Sequence, residues 1–344
     1  MSVSESALEA VTRPEAGPSG AGGPTLGTAK YAPAGVRPPA LAPVSREPVN
    51  REPANREPLW AARRTRRWRA LRTLLRHRSD MVGLAGLLLV ALVAAIGPRF
   101  VPYDPTTVDV LNKLQTPSAA HLLGTDYLGR DLLSRTIEGA HRSLGTAVIV
   151  VTAVIAVSLL FGSLAGFSGG LVDAVIMRVV DVQLGLPSLV LALALVGTLG
   201  PRLSTLMLAL VVAQSPWYIR LIRSLVLRER ERPYVLVARV HGAGAVAVVW
   251  RHVLPAVLGQ LAVLATLDLG SVVLAVAGLS FLGLGVQPPL SEWGAMLNDG
   301  RITFSQRPLL MVVPGACIFF TVLSANLFGD ALRDVLDPTW KGQR

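Results

Sequence analysis

The sequence predicts an all-α integral membrane protein with six transmembrane helices behind a disordered N-terminal tail, and three observations lead there. Apolar residues make up 51% of the 344 and charged residues only 16%, where soluble proteins carry about 25% charged; the mean hydropathy is +0.51. Six stretches are long and apolar enough to cross lipid, or nearly so. The Arg surplus behind the net charge of +11 gathers at 61–78 and 220–252, beside those stretches.

Residues 1–58 hold no apolar run of seven, so no secretory signal is visible, and they repeat Arg-Glu-Pro every five residues from Arg46 to Pro58. Proline at that period forbids a helix interior, and so little apolar surface offsets no ordering entropy, which predicts a disordered tail. A basic juxtamembrane segment follows at 59–80. The spans are Met81–Val101, Leu144–Phe167, Val182–Leu199, Leu203–Ile222, Val257–Leu284 and Leu309–Phe328, each measured against the roughly 20 residues needed to cross about 30 Å. The third contains Pro187 and is parted from the fourth only by Gly200-Pro201-Arg202, a tight helical hairpin.

Lys and Arg in short flanks orient the spans. "RRTRRWRALRTLLRHR", Arg63–Arg78, places the N-terminus in the cytoplasm, and an even number of spans returns the C-terminus there. The connection 102–143, the hairpin tip and the loop 286–308 then lie outside. Lys113, Arg130, Arg135 and Arg142 in the outer connection are balanced by Asp104, Asp109, Asp126, Asp131 and Glu138. Since the positive-inside rule accounts for the Arg clusters, membrane lipid and no nucleic acid is the implied surface partner.

Catalytic chemistry is not written in the chain. No Walker-type GxxxxGK[ST], HExxH, GxSxG or kinase motif occurs, so ATP binding by that route and those hydrolytic mechanisms are excluded. A single cysteine, Cys317, allows no disulfide within the chain, and the five histidines at 77, 121, 141, 241 and 252 lack i, i+4 spacing with a carboxylate, so no metal site is expected. Absent catalytic groups and six spans favour transport.

The stretch Tyr234–Pro255 interrupts this lipid-soluble chain in the cytoplasm. Tyr234–His241 is expected to form two helical turns, Gly242-Ala243-Gly244 to break them, and Ala245–Val253 to form a second helix ended by Pro255. Ala238 and Gly242 share a face, and their small size lets another backbone approach. Two readings follow: a docking site for a cytosolic protein, or an amphipathic helix lying on headgroups. The glycine break and small residues favour the protein.

This stretch resembles the "EAA" coupling loop of the membrane-spanning permeases of ATP-binding-cassette importers, in the peptide/nickel group. Tyr234, Ala238, Arg239, Gly242, Ala243, Arg251, His252 and Pro255 match its pattern, whereas Leu236 stands where the naming acid would be and Ala256 where an Asn is usual. "HLLGTDYLGRDLLSRTIEGAHRSL" (121–144), "GLSFLGLGVQPPLSEWGAML" (278–297) and "GDALRDVLDP" (329–338) resemble further motifs of the group, in order, closest to the "C" permeases of dipeptide and oligopeptide importers. The resemblance implies a type I importer architecture: a permease domain over 81–344, with outer loop 102–143 and coupling loop 223–256, in a bacterial inner membrane with both termini cytoplasmic.

The resemblance also implies partners: a second homologous permease, two ABC ATPases that carry the ATP and Mg, and an extracytoplasmic substrate-binding protein. It implies a non-enzymatic chain with no cofactor of its own. Cargo is a di- or oligopeptide, or alternatively nickel or another small solute; an ATP-independent channel or carrier is the reading from another class. Gly124, Thr125, Asp126, Gly129, Arg130, Asp131, Ser134 and Arg135 in the outer loop either receive the binding protein or pack as a lid on the chain's own spans.

Asp268 is the one acid well inside an expected span. A charged carboxylate there costs roughly 2.5 to 3.5 kcal/mol, so it should face the bundle interior or water, lining the pathway or bonding a neighbouring helix. In the group the chain resembles, Glu commonly stands where Val276 stands here. The Gly162-x-x-x-Gly166-x-x-x-Gly170 row suits close helix packing. Asp173, Arg178 and Asp181 are expected to pair along one helix face. Trp60, Trp68, Trp217 and Trp250 fall near expected interfaces.

Overall fold

Helix α1 (Arg78–Ile96) opens the part of the chain that the computed structural model describes, residues 78–336. The expected tail and nearly all of the juxtamembrane segment, with Trp60 and Trp68, lie outside the described residues. The chain stops being helical at Gly97-Pro98 for a specific reason. Pro98 has no N–H, so the Ala94 carbonyl loses its intrahelical donor. Nδ1 of His141, 2.9 Å away, donates in its place and ties α1 to the next helix.

That helix, α2 (Leu132–Ser168), has 37 residues, about 55 Å at 1.5 Å per residue. It exceeds the hydrocarbon thickness, so its first turns stand outside the bilayer. The expected outer loop 102–143 is therefore shortened: residues 132–143 are helix, started by the Asp131 side chain accepting from the Ser134 N–H at 2.8 Å. Gly169, at φ +66°, ends the helix.

The third expected span is corrected most. Residues 170–199 form two helices, α3 (Gly170–Leu184) and α4 (Ser188–Leu199), bent by 89° at Gly185–Pro187. Pro187 cannot donate into a continuing helix and disfavours helical geometry at Leu186, so the break is local in origin. Helix α5 (Leu203–Arg230) runs well past the expected Ile222, and Arg228 and Arg230 in its last turn suit the negative end of its dipole. Trp217 sits at the middle of α5, exposed, with its ring 4.9 Å from that of Tyr218.

After the cytoplasmic connection come α6 (Pro233–Val240), α7 (Ala245–Val248), α8 (Leu254–Phe281), α9 (Trp293–Gly300) and α10 (Leu309–Leu336). Among the described residues no strand is present, and five helices are long and apolar enough to span a membrane, or six spans if the bent α3–α4 pair counts as one. Helix α2 packs along α5 and α8, α10 packs along α1 and α8, and α4 runs beside α5. Val150, Val154, Val196, Leu206, Ile222, Leu261 and Leu279 fill the core.

Two members of the glycine row carry the α2–α5 contact. A Cβ added at Gly162 would meet the Ile219 carbonyl at 2.9 Å, and one at Gly166 the Arg223 carbonyl at 3.0 Å. Gly170 lies past the helix end with nothing near it and takes no part. Asp173 and Asp181 do not pair with Arg178. They reach α5, Asp173 receiving two nitrogens of Arg223 at 2.5 Å and Asp181 receiving Arg220 at 2.5 Å.

Gly162→Val should therefore push α2 from α5 and lower the thermal midpoint of the purified protein, at a cost of about 1–3 kcal/mol. Gly145→Ala, on the same helix with nothing within 4 Å, should leave the midpoint unchanged or raise it.

Candidate functional site

The cytoplasmic connection begins at Pro233, whose missing N–H costs nothing in the first helical turn. Helix α6 ends in a left-handed turn at Gly242, φ +82°, where the Ala243 N–H reaches back to the Ala238 carbonyl at 3.0 Å. Only glycine takes that φ without strain. The Val237 carbonyl, which already accepts the His241 N–H at 3.0 Å, also receives His241 Nδ1 at 2.8 Å. The second helix is not ended by Pro255. From Ala245 the chain stays helical through one π-helical turn, Val249–Val253, closed by Leu254 N–H to Val249 O, and runs on into α8 with Pro255 in its first turn.

The elbow sorts its side chains sharply. Val235, Val248, Val253 and Val257 are buried against the spans, and Ala238 and Ala243 are half-buried. Leu236, Val237 and Val240 are exposed, Val240 by 86% and Leu236 by 48%; at i, i+1 and i+4 they share one side of α6. A Cβ at Gly242 or Gly244 would meet nothing of this chain within 4 Å. Arg251 and Pro255 are exposed. The side chains of Arg239, Trp250 and His252 lie outside the described residues. The Tyr234 hydroxyl donates to Glu229, and burial together with that carboxylate pushes its pKa up to about 12, so it stays a donor at cellular pH.

On the opposite side of the membrane the eight outer-loop residues are all buried. Asp126 receives Arg130 Nε at 2.7 Å and Arg135 at 2.5 Å, while Asp299 receives the same two guanidiniums at 3.2 and 3.0 Å. Two cations and two anions thus close a neutral lattice; Arg130 and Asp126 are each only 1% exposed. Ser291 adds a hydroxyl 3.3 Å from Arg135. Asp131 holds His121 at 2.9 Å with one oxygen and caps α2 with the other. Thr125 bonds the Asn112 carbonyl, and Gly129 sits so close to Asp109 that any Cβ would overlap its carbonyl.

Sequence reasoning missed the acceptors on the far side of this cluster. Asp299 lies beyond the quoted motif and carries no local signal for a partner 164 or more positions away. Glu292, fully buried, caps α9 through the Gly294 and Ala295 N–H groups at 3.0 Å and receives Ser143 at 2.8 Å. Its place just before a helix start was the available clue. Trp293 donates from its indole to the Thr136 carbonyl at 3.0 Å. Together these bonds lock α9 onto the outer end of α2.

Asp268 lies half-buried on α8, beside buried Tyr218 on α5. Val276 is fully buried. Among the described residues no group of three or more His, Cys, Asp or Glu side chains is placed to hold a metal. What these sites offer is mechanical: a buried charge lattice pins α9 to the start of α2, and α6 presents an exposed apolar side.

The family of binding-protein-dependent transport system inner membrane components matches residues 158–342, and the N-terminal transmembrane domain of oligopeptide transport permease C matches residues 65–117. The nickel transport system permease protein of Escherichia coli K12 is 44% identical over 76% of this chain and 94% of its own length. A probable D,D-dipeptide transport system permease of the same strain is 41% identical over 75% and 87%, and a di/tripeptide transport system permease of Pseudomonas aeruginosa UCBPP-PA14 is 42% identical over 77% and 89%. The chain is a multi-pass membrane permease. It belongs to the binding-protein-dependent inner membrane components, as a "C"-type subunit of the peptide/nickel group of ABC importers.

Asp126→Asn should leave buried guanidinium charge uncompensated at a cost of about 3–5 kcal/mol, read as a large fall in the thermal midpoint and in yield from membranes. Glu138→Gln, which touches only the partly exposed Arg142, should shift the midpoint little.

Proposed function

We propose that this chain forms half of the pathway of an ATP-driven importer of di- and oligopeptides, and that the Tyr234–Pro255 elbow couples it to two ATPase subunits. The observation that carries the reading is the exposed apolar side of α6, Leu236, Val237 and Val240, beside a glycine turn that leaves room for a foreign surface. Apolar side chains clustered outside the bilayer call for a protein cover. With Leu236 in place of an acid, the matching ATPase groove is apolar rather than cationic.

ATP and Mg are held by those partners. Their closure pushes the elbow, and because helix is continuous from Ala245 to Phe281, the displacement enters α8 directly. Inverting a 1:99 population of inward and outward states takes about 5.5 kcal/mol of differential affinity, supplied largely by ATP binding. A second permease completes the pathway, and an extracytoplasmic binding protein delivers cargo to the outer loop. The chain lies in the bacterial inner membrane with both termini cytoplasmic. Asp268, half-buried beside Tyr218, offers a carboxylate to cationic groups of the cargo. Nickel is the second reading, favoured by the 44% identical Escherichia coli relative; uptake of labelled dipeptide against labelled nickel in a strain lacking the chain separates the two.

Gly242→Ala adds only the left-handed backbone strain of about 1–2 kcal/mol and should retain most ATP-dependent uptake, whereas Gly242→Trp should abolish it with membrane insertion intact. Equal uptake by both variants would refute the docking assignment. Asp268→Asn should slow uptake of cationic peptides several-fold more than that of neutral ones; an equal effect on both removes Asp268 from the pathway.

A further inference from the structure

Helix α4 has 12 residues, about 18 Å at 1.5 Å per residue, against the roughly 30 Å of hydrocarbon it would have to cross. Its outer end is fixed by the hairpin Gly200-Pro201-Arg202, which joins it to α5. With that hairpin at the outer boundary, as the proposed orientation has it, the elbow Gly185–Leu186–Pro187 lies within the bilayer, about 12 Å short of the cytoplasmic boundary. There α3 turns away by 89°. Its two ion pairs tell the same story: Asp173 and Asp181, eight positions apart on α3, meet Arg223 and Arg220, only three apart on α5, so α3 crosses α5 steeply instead of running along it.

A break at that depth exposes backbone. The Ser188, Leu189 and Val190 N–H groups begin α4 without intrahelical acceptors, and Pro187 supplies no side-chain cap. Gly185, Leu186 and Pro187 are all exposed on this chain. Broken backbone facing hydrocarbon does not occur, because each unpaired group costs several kcal/mol; it is found buried in protein or facing a water-filled cavity. One turn away stands the Asp181–Arg220 pair, with side chains 56% and 54% exposed. A pair so open also needs water beside it.

We infer that the Gly185–Pro187 elbow and the Asp181–Arg220 pair form a polar wall of an aqueous cavity at membrane depth, on the pathway side of this permease. The inference rests on the reading of the chain as half of a pathway and assigns which of its surfaces faces the cargo route. Water in that cavity satisfies the free amides of α4 and the carbonyls at the end of α3. The long outward faces of α1 and α10 remain for lipid.

The test is thiol accessibility in the assembled transporter in native membranes, with Cys317 replaced by Ser. Leu186→Cys and Ser188→Cys are compared with Leu89→Cys and Leu92→Cys on the lipid side of α1. A charged, membrane-impermeant methanethiosulfonate should modify positions 186 and 188 at least about ten-fold faster than 89 and 92, since only a hydrated thiol ionises and reacts. Rates within about two-fold of the α1 controls would place the elbow in lipid and overturn the proposal. Slow reaction combined with zero-length cross-linking of position 186 to the second permease would overturn it too, by showing a protein cover. Uptake is measured on the same membranes: normal uptake with an unreactive elbow rejects the cavity alone, whereas absent uptake by the unmodified chain rejects the importer reading and leaves the labelling result standing.

Discussion

Hydrocarbon offers no hydrogen bonds, and the architecture follows from that one deprivation. Each backbone donor and acceptor at membrane depth has to be satisfied within the chain, at a partner or in enclosed water. Where the sequence withdraws a donor, another appears: Pro98 leaves the Ala94 carbonyl unpaired, and His141 fills it. Several Thr hydroxyls in the spans bond back to their own helix, as those of Thr152, Thr198, Thr266 and Thr321 do, and Ser158 bonds across to the Ser215 carbonyl. At the third crossing Gly185 and Leu186 repair part of the end of α3, but the first amides of α4 have no side-chain cap, and that is why its elbow is proposed to face water.

The two ends of the bundle are built to opposite mechanical specifications. Outside, buried Arg130 and Arg135 share Asp126 and Asp299, and α9 is further pinned through Glu292, Ser143, Trp293 and Thr136. A satisfied buried charge network resists deformation, because moving any member strands another charge. Inside, a glycine turn and a π-helical turn interrupt the elbow, and its exposed face is apolar. A stiff end and an end that can be gripped are what the proposed coupling by partner ATPases requires.

Several features were legible because they depend on residues close in sequence. Five of the six spans, the cytoplasmic break at Gly242–Gly244 and the packing role of Gly162 and Gly166 came from composition and periodicity alone. The outer end of α2 was misjudged because residues 132–143 look polar enough for a loop, yet Arg135 and Ser143 turn inward to Asp299 and Glu292 and His141 to α1, partners that local spacing does not reveal. The same limit hid Asp299 and Glu292, and it assigned Asp173 and Asp181 to a helix face of their own when their partners lie on α5.

The sequence by itself determined that the chain lives in lipid, where five of its six spans lie and where the connection before the fifth span breaks, because hydrophobic length and glycine turns are properties of short segments. Only the tertiary structure decided that the outer loop is a buried charge lattice and that the third crossing is a half-span with an exposed elbow. Ion pairs between residues more than a hundred positions apart, and the angle at which one helix leaves another, exist only once the helices have packed.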